Sequence, residues 1–479
     1  MAQPFAEPCG RGVIAAELYP QELRREIAPP RRRLILAACV LASAMAFIDG
    51  SALTIALPRL RVGLGLDLAS VQWVINGYVL ALASLTLIGG ALADSFGKAR
   101  ILMLGCLTFG AASVACALAP SAVSLIAARL IQGVGAALLT PASLALIGAT
   151  YPKSLRNRAI GTWAAASALT TAAGPVIGGW LTDTFGWQAI FWINPPIAVV
   201  AVGLLWTFAP VESRVPRRFD FVGAAVIAIA LGLLAWALSQ IGQNSLGTTS
   251  ASWPGGEIVF IGVLGIFGLW SYAVWERKSV QPMTPPRLAK NRIFVGLNTA
   301  TLLIYAGLST MFFLLPFELL DHRGLTPTEA GLTFLPFTLG VGFLSERFGG
   351  LADTIGARAM LILGPCGASA AYLWMAIGRE SSLAAGIIGP MVLLGVSFAA
   401  LVAPLTASVM SSVTPSDEGL ASGVNNAASR VAQLAGVAIG AGLGSLVSGY
   451  RFGLIAAAVF SLAGALTMAS PMGLGRKTA

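Results

Sequence analysis

The sequence predicts an all-α integral membrane protein of about fourteen transmembrane helices, in which two six-helix bundles flank two inserted helices. Three observations support this prediction: the composition, the length of the apolar segments and the distribution of the cations. Of the 479 residues, 56% are hydrophobic and 10% are charged, and the mean hydropathy is +0.81. A soluble domain has about a quarter of its residues charged. This chain lacks the polar residues to cover a surface in water, so much of that surface must face lipid.

The apolar segments have the length that a membrane requires, since a helix needs about twenty apolar residues to cross the hydrocarbon core. Fourteen such segments are predicted near 34–57, 71–93, 101–119, 122–149, 158–181, 188–209, 220–240, 257–275, 293–318, 327–350, 359–377, 382–411, 419–445 and 452–470. An even number of spans places both termini on the same side of the membrane.

The loop cations indicate which side that is. Most lysines and arginines lie in loops on the side of the N-terminus, whereas the opposite loops hold Arg59, Arg61, Arg323, Arg379 and Arg451. Cytoplasmic loops of membrane proteins carry this excess of cations, so both termini are expected in the cytoplasm of a cell-membrane protein. The formal charge of +10 is then explained by topology and by contact with lipid headgroups. A nucleic-acid partner is not expected.

Composition and motifs argue against an enzyme. The five cysteines are scattered without metal-ligand or disulfide spacing, and His322 is the single histidine, so no multi-histidine metal site is expected. The chain has no phosphate-binding loop, no serine-hydrolase or zinc-protease motif and no dinucleotide motif in a strand–helix context. No cofactor is expected, and the lack of a phosphate-binding loop argues against ATP as an energy source.

An internal repeat divides the chain. The stretch GGALADSFGKAR at 89–100 returns in weaker form as GGLADTIGAR at 349–358, and the spans at 160–179 and 422–441 share glycines at a similar offset. The offset exceeds the length of six helices, which leaves room for two inserted helices; the repeat has the same polarity in both copies, as in parallel two-half transporters. The predicted parts are a cytoplasmic tail at 1–33, an N-terminal bundle at 34–209, two inserted helices with flanking loops at 210–292, a C-terminal bundle at 293–470 and a cytoplasmic tail at 471–479.

Two ionisable residues inside apolar spans are candidates for proton coupling. Such residues are costly in a membrane and are functional candidates by default. Counting along the helices places Asp49 of the first span and Arg129 of the fourth at nearly the same depth, in the outer half of the membrane. We expect them to face each other. Burial favours the protonated carboxyl and a nearby cation favours the ionised one, which is the balance that a proton-coupled switch needs. The alternative is a static ion pair that joins two helices.

A third ionisable residue, Arg430, is expected near mid-membrane in the thirteenth span, with Asn425 and Asn426 at helical spacing. It is either a cavity-lining cation that contacts substrate or a residue that bridges helices. Further polar or aromatic residues on apolar helices are candidates for a substrate cavity, although each is individually more typical of packing. The full set of cavity candidates is Trp73, Asn76, Tyr78, Gln132, Glu318, Asn425, Asn426 and Arg430.

The segment AAGPVIGGW at 172–180 places a helix-kinking proline among glycines that permit close approach of helices. Its residues Gly174, Pro175, Gly178 and Gly179 form either a flexing contact between the two halves or ordinary glycine-rich packing.

The repeated stretch is predicted to act as a gate on the cytoplasmic side. Asp94 is placed to cap or pair with a neighbouring helix end, and Gly97 permits a tight turn. A bond that forms only when the inner side is closed would bias an alternating-access equilibrium. The predicted gate consists of Gly90, Asp94, Gly97, Lys98, Arg100, Asp353, Gly356 and Arg358.

Four motifs resemble the Major Facilitator Superfamily, and within it the fourteen-helix drug:proton antiporters. The stretch at 89–100 is similar to the loop between the second and third helices of that family, and 172–180 is similar to its antiporter motif in helix five. FIDGSALTIALP at 47–58 resembles the first-helix pattern, and RLIQGVGAALLTPA at 129–142 resembles the fourth-helix pattern. Thr54, Ser95 and Glu318 depart from the asparagine, basic residue and glutamine common at these positions.

The resemblance implies proton-coupled efflux of an amphipathic drug-like or antibiotic molecule by alternating access, with the protein acting as a monomer. Asp49 would take up and release the proton, and Arg129 would tune its affinity. Two alternatives remain: export of an endogenous metabolite, amino acid or sugar, and a membrane sensor that has lost transport. The sequence leaves the identity and charge of the substrate open.

Overall fold

The computed structural model describes residues 28–210, 221–244, 255–278, 288, 290–413, 418–444 and 448–469. These residues form helices and connecting turns, without a strand among them. The predicted tails, apart from residues 28–33, lie outside the described residues.

The first eight long helices are α1 (Pro29–Leu64), α2 (Leu68–Phe96), α3 (Lys98–Ala117), α4 (Ala122–Thr150), α5 (Lys153–Phe185), α6 (Asn194–Phe208), α7 (Phe221–Asn244) and α8 (Gly255–Lys278). The remaining six are α9 (Arg292–Phe317), α10 (Leu335–Ile355), α11 (Ala357–Ile377), α12 (Gly389–Ser411), α13 (Glu418–Gly444) and α14 (Gly449–Ala469). Short helical segments precede α6, α10 and α12 at Ala189–Trp192, Pro327–Leu332 and Ala384–Ile388, and a π-helical turn, Glu318–His322, extends α9.

These helices coincide with the predicted spans, and the all-α membrane fold is confirmed. Within the described residues, nine helical segments are long and apolar enough to cross a membrane. The inserted helices α7 and α8 pack against each other, and α7 also contacts α2 and α13. In α8 only 17% of the apolar window is buried, so most of this helix faces outward, as expected of a helix in contact with lipid.

The internal repeat is visible in how the helices pack. A Cβ added at Gly178 of α5 would lie 2.5 Å from the carbonyl oxygen of Ala52 in α1. In α13, a Cβ added at Gly436, which the repeat aligns with Gly174 of α5, would lie 2.3 Å from the carbonyl oxygen of Ala306 in α9. Glycine at these positions lets the two backbones meet, so α5 on α1 and α13 on α9 are equivalent contacts.

The two copies of the repeated stretch have the same backbone geometry. Gly97 joins α2 to α3 with φ 102° and ψ 128°, and Gly356 joins α10 to α11 with φ 96° and ψ 134°. L-residues with a side chain rarely adopt positive φ, so both predicted turns depend on glycine. We call the side on which α1 begins the terminal side and the opposite side the distal side.

Candidate functional site

A buried ion pair lies in the distal half of the first six helices. The Asp49 side chain of α1 is fully buried and that of Arg129 in α4 is 1% exposed. One guanidinium nitrogen, Nη1, is 2.5 Å from Asp49 Oδ2. The predicted juxtaposition of these two residues is therefore confirmed, and it was derived from helix rise alone.

Gln132 completes the pairing. Its Nε2 donates to Asp49 Oδ1 at 2.9 Å and to Ser113 Oγ at 2.8 Å, and its Oε1 accepts from Arg129 Nη1 at 2.6 Å. The Arg129 Nε donates to the Val74 carbonyl at 3.1 Å. Gln132 was predicted as a cavity candidate, but it is fully buried and belongs to this cluster instead.

Asn194 and Ser113 belong to the same cluster, although neither is among the candidates predicted from the sequence. The Asn194 Nδ2 donates to Ser113 Oγ at 2.8 Å and approaches Asp49 Oδ1 at 3.5 Å. Asn194 is an amide at the start of α6, within a predicted apolar span. It has the same sequence signal as Asn76 and Gln132, a polar side chain on an apolar helix. With it, the cluster joins α1, α2, α3, α4 and α6.

Aromatic rings cover the cation of this cluster. The Arg129 guanidinium carbon lies 4.3 Å from the centroid of the Tyr78 ring and 5.8 Å from that of Phe191. The Tyr78 hydroxyl donates to the Ala46 carbonyl at 3.4 Å. Cation–π contacts stabilise a cation held away from water. The arrangement keeps one carboxylate and one guanidinium in an enclosed, hydrogen-bonded site, where a proton added to Asp49 would remove the charge that Arg129 neutralises.

The glycine motif of α5 packs directly beside Asp49. A Cβ added at Gly174 would lie 1.7 Å from Ser51 Oγ, and one added at Gly178 would overlap Ala52. Ser51 and Ala52 are two and three residues beyond Asp49 in α1. A displacement of α1 at the ion pair would therefore press directly on α5.

The same motif contacts the second half of the chain. A Cβ added at Gly179 would lie 2.2 Å from the Pro327 carbonyl oxygen, and one added at Gly331 would lie 2.4 Å from the Pro175 carbonyl oxygen. Thr328 Oγ1 donates to Asp183 Oδ2 at 2.9 Å nearby. Of the two interpretations offered for this motif, the structure places it in a contact between the halves; whether the contact flexes stays a prediction.

A second contact between the halves lies at the distal ends of α1 and α9. Arg61 Nη1 is 3.7 Å from Asp321 Oδ2, and both side chains are about half exposed. This contact and that of Asp183 hold the halves together on the distal side.

The structure pairs Glu318, one of the predicted cavity candidates, with cations at the distal rim of the second half. It is 3% exposed and its Oε2 accepts from Arg379 Nε at 3.0 Å. His322 Nδ1 lies 3.1 Å from its Oε1. Arg379 lies in the turn after α11. Counting residues along a helix gives no depth for a residue in a turn, so the sequence does not predict this pairing. Glu318 belongs to a cluster at the distal rim of the second half.

Arg430 lies near the middle of α13. Its Nη1 donates to Gln433 Oε1 at 3.3 Å, and its Nε is buried without a hydrogen-bond partner. Its helix α13 packs against α2 of the first half and α9 of the second. Arg430 thus lies on a helix that contacts both halves.

The remaining cavity candidates have different environments. Asn425 Nδ2 donates to Thr301 Oγ1 at 2.8 Å and lies 3.2 Å from Asn298 Oδ1. Asn426 and Trp73 are half-buried. Asn76 is 1% exposed, and both atoms of its amide lack a hydrogen-bond partner; nothing in the structure explains this.

The predicted gate is described in part. Gly90 of α2 approaches Pro141 of α4, where an added Cβ would lie 3.5 Å from its side chain. Arg100 is exposed, Lys98 is half-buried, and Arg358 Nη2 donates to the Ala469 carbonyl at 2.7 Å. The side chains of Asp94 and Asp353 lie outside the described residues, so their predicted gating role remains a prediction.

Comparison with known proteins places the chain in a family. The model of the Major Facilitator Superfamily matches residues 39–292 and 297–474. The chain is 32% identical to the multidrug resistance protein Stp of Mycobacterium tuberculosis, over 87% of this chain and 76% of that protein. It is 32% identical to the lincomycin resistance protein of Streptomyces lincolnensis (83% and 81%) and 31% identical to the cephamycin export protein CmcT of Amycolatopsis lactamdurans (90% and 90%).

Solved structures have the same fold. A peptide transporter POT in complex with sulfate superposes with a TM-score of 0.69 at 16% identity, covering 92% of this chain and 94% of that chain. A bacterial homologue of the human lysosomal transporter Spinster superposes with a TM-score of 0.64 at 16% identity, covering 92% and 97%. The predicted family, the two-bundle helical fold and the absence of enzymatic function are confirmed together: the chain belongs to the Major Facilitator Superfamily of membrane transporters.

Proposed function

We propose that this transporter exports a small amphipathic drug-like or antibiotic molecule in exchange for protons, by alternating access. It would act as a monomer in the cell membrane, with the terminal side in the cytoplasm and the proton gradient as its energy source. The names of the relatives, which refer to multidrug resistance, lincomycin resistance and cephamycin export, support the efflux part of the proposal. The single observation that carries the proton part is the fully buried Asp49 carboxylate paired with Arg129.

Protonation of Asp49 would change how three helices are held. The ionised carboxylate accepts from Arg129 and Gln132 of α4, and Asn194 of α6 approaches it. Charge-assisted hydrogen bonds are roughly twice as strong as neutral ones, so the neutral acid would hold α1 to α4 and α6 more weakly. Arg129 keeps the Val74 carbonyl and the Tyr78 ring as partners in either state. The site can therefore hold Asp49 in either protonation state. The position of α1 relative to α4 and α6 would differ between the two states.

The close packing of α5 supplies the route from this site to the distal contact. Ser51 and Ala52 of α1 touch Gly174 and Gly178, and the next glycine, Gly179, touches Pro327 of the second half. Close-packed interiors transmit displacements because there is no free volume to absorb them. Under the proposal, a proton at Asp49 shifts α1, and α5 passes the shift to the contact between the halves.

Counterflow in proteoliposomes tests the mechanism. A growth-inhibition panel that includes lincomycin and puromycin, comparing expressing and deleted cells, selects the compound and distinguishes drug efflux from export of a self-made metabolite. An imposed pH gradient should drive that compound in the wild-type protein and fail to drive it in Asp49→Asn. Glu257→Gln, which alters an exposed carboxylate of α8, is the matched control and should retain wild-type transport. Normal gradient-dependent transport by Asp49→Asn would refute the assignment.

A further inference from the structure

Arg430 is a cation in the interior of the helix assembly that the structure leaves without a carboxylate. Among the described residues it makes one side-chain hydrogen bond, to the neutral amide of Gln433, while its buried Nε has no partner. Guanidinium has five N–H donors and stays protonated in proteins. Most of its hydrogen-bonding capacity is therefore unused.

The buried carboxylates of Asp49 and Glu318 are engaged elsewhere. Asp49 is bound by Arg129, and Glu318 is bound by Arg379 with His322 alongside. Among the side chains that the structure describes, none of the carboxylates contacts Arg430. A charge held away from water is costly unless it is paired. An unpaired cation held away from water is expected to bind a partner reversibly.

The surroundings indicate what kind of partner fits. Along α13, Asn425 and Gly436 lie on either side of Arg430 and contact Thr301 and Ala306 of α9. Tyr305 lies between those two residues of α9, at the depth of Arg430. From Tyr305 an aromatic series continues through Phe398 and Phe337, with ring centroids 6.3 Å and 5.6 Å apart. Phe312 extends it at 5.5 Å from Phe337. A flat apolar body would pack against these rings, while an acidic group would reach the guanidinium.

We propose that Arg430 binds the acidic group, a carboxylate or an ionised phenol, of an aromatic substrate. This inference rests on the proposed export function and specifies its substrate class. Arginine is suited to this task because its planar fork matches a carboxylate with two parallel hydrogen bonds. The substrate then supplies the charge that the chain does not.

Tyr78 connects this substrate site to the proton site. Its ring centroid lies 4.3 Å from the Arg129 guanidinium carbon, and its helix α2 packs against α13, the helix of Arg430. An acidic group beside Arg430 would alter the position of Tyr78 and so the support of the Asp49–Arg129 pair. Export of a monoanion in exchange for protons also moves one more charge per cycle than export of a neutral molecule, so the membrane potential would contribute to transport.

Equilibrium binding of two dyes with one ring system tests the proposal. Fluorescein is anionic and rhodamine 123 is cationic at pH 7.5, and both have a xanthene core. Fluorescence polarisation with the full purified chain should give at least about tenfold tighter binding of fluorescein. Arg430→Gln should lose about tenfold in affinity for fluorescein and keep its affinity for rhodamine 123 within about twofold. Arg430→Lys should fall between, because it keeps the charge and loses the fork.

Arg451→Gln, at an exposed position of α14, is the matched control and should bind both dyes as the wild type does. Equal loss of both dyes in Arg430→Gln, a wild-type preference for rhodamine 123, or no binding of fluorescein would overturn the proposal. Arg430→Lys keeps the test decisive if Arg430→Gln fails to fold. Binding is measured without a gradient, so its failure is distinct from failure of the export function, which shows only as absent gradient-driven movement.

Discussion

The two sets of six helices share their packing and differ in how they treat buried charge. Gly174 on Ser51 and Ala52 in the first set matches Gly436 on Ser309 and Thr310 in the second, with similar close approach of the helices. The first set buries a cation with its carboxylate, Arg129 with Asp49, whereas the second leaves Arg430 without one. The repeat has been kept where two backbones must meet and has diverged where the side chains carry charge.

The two turns at Gly97 and Gly356, on the terminal side, likewise share their backbone geometry and differ in charge. Their φ and ψ angles agree within 6°. The residues that follow differ: Lys98 and Arg100 in the first copy correspond to Ala357 and Ala359 in the second. The backbone requirement is common to both halves, and the cations are not.

The largest expected effect comes from removing the paired cation. Arg129→Gln leaves Asp49 buried without its counter-charge and should lower the free energy of unfolding by about 3–5 kcal/mol. Arg430→Gln removes an unpaired cation and should leave stability unchanged or raise it. Denaturation by sodium dodecyl sulfate, followed by circular dichroism, measures both. The double variant Asp49→Asn/Arg129→Gln should regain most of the loss, since no charge is left unpaired; equal losses in the two single arginine variants would contradict the comparison.

The sequence was sufficient for the Asp49–Arg129 pair because the rise of a helix is constant, so residue counts give depth. It was sufficient for the turns at Gly97 and Gly356 because only glycine adopts their φ readily. The sequence did not predict the partner of Glu318. Arg379 lies in a turn, where no helical periodicity relates residue number to position. The sequence also did not predict the approach of Gly179 to Pro327, because contacts between halves depend on how two rigid bundles dock.

Overpacking tests whether the two glycine contacts are equivalent. Gly178→Ala and Gly436→Ala each place a methyl group against backbone, at 2.5 Å and 2.3 Å from a carbonyl oxygen. Both should lower the free energy of unfolding by about 1–3 kcal/mol. Gly161→Ala in α5, where an added Cβ meets nothing within 4 Å, is the matched control and should be neutral or stabilising. A large loss in only one of the two would show that the halves pack differently.

The turns should respond equally in stability and unequally in transport. Gly97→Ala and Gly356→Ala each force a side chain into positive φ, at a cost of about 1–3 kcal/mol. Gly350→Ala, beside the second turn and without a neighbour within 4 Å, controls for the added methyl. If the cations after Gly97 form the gate, gradient-driven counterflow should fall further in Gly97→Ala than in Gly356→Ala. Equal transport losses would mean that only the backbone of these turns matters.

The smallest expected effect lies at the exposed contact between the halves. Arg61 and Asp321 are 3.7 Å apart and about half exposed, and such pairs contribute less than about 1 kcal/mol to stability. Arg61→Gln should therefore barely change the free energy of unfolding. Its effect should vanish at 1 M salt, where the screening length is about 3 Å. Arg379→Gln removes the 3.0 Å ion pair of the buried Glu318 and leaves it with His322 and Arg323. It should destabilise more than Arg61→Gln and keep its effect in salt. A large loss in Arg61→Gln that disappears at 1 M salt would instead assign the distal contact to this ion pair. The close packing of Gly179 against Pro327 would then be secondary to it.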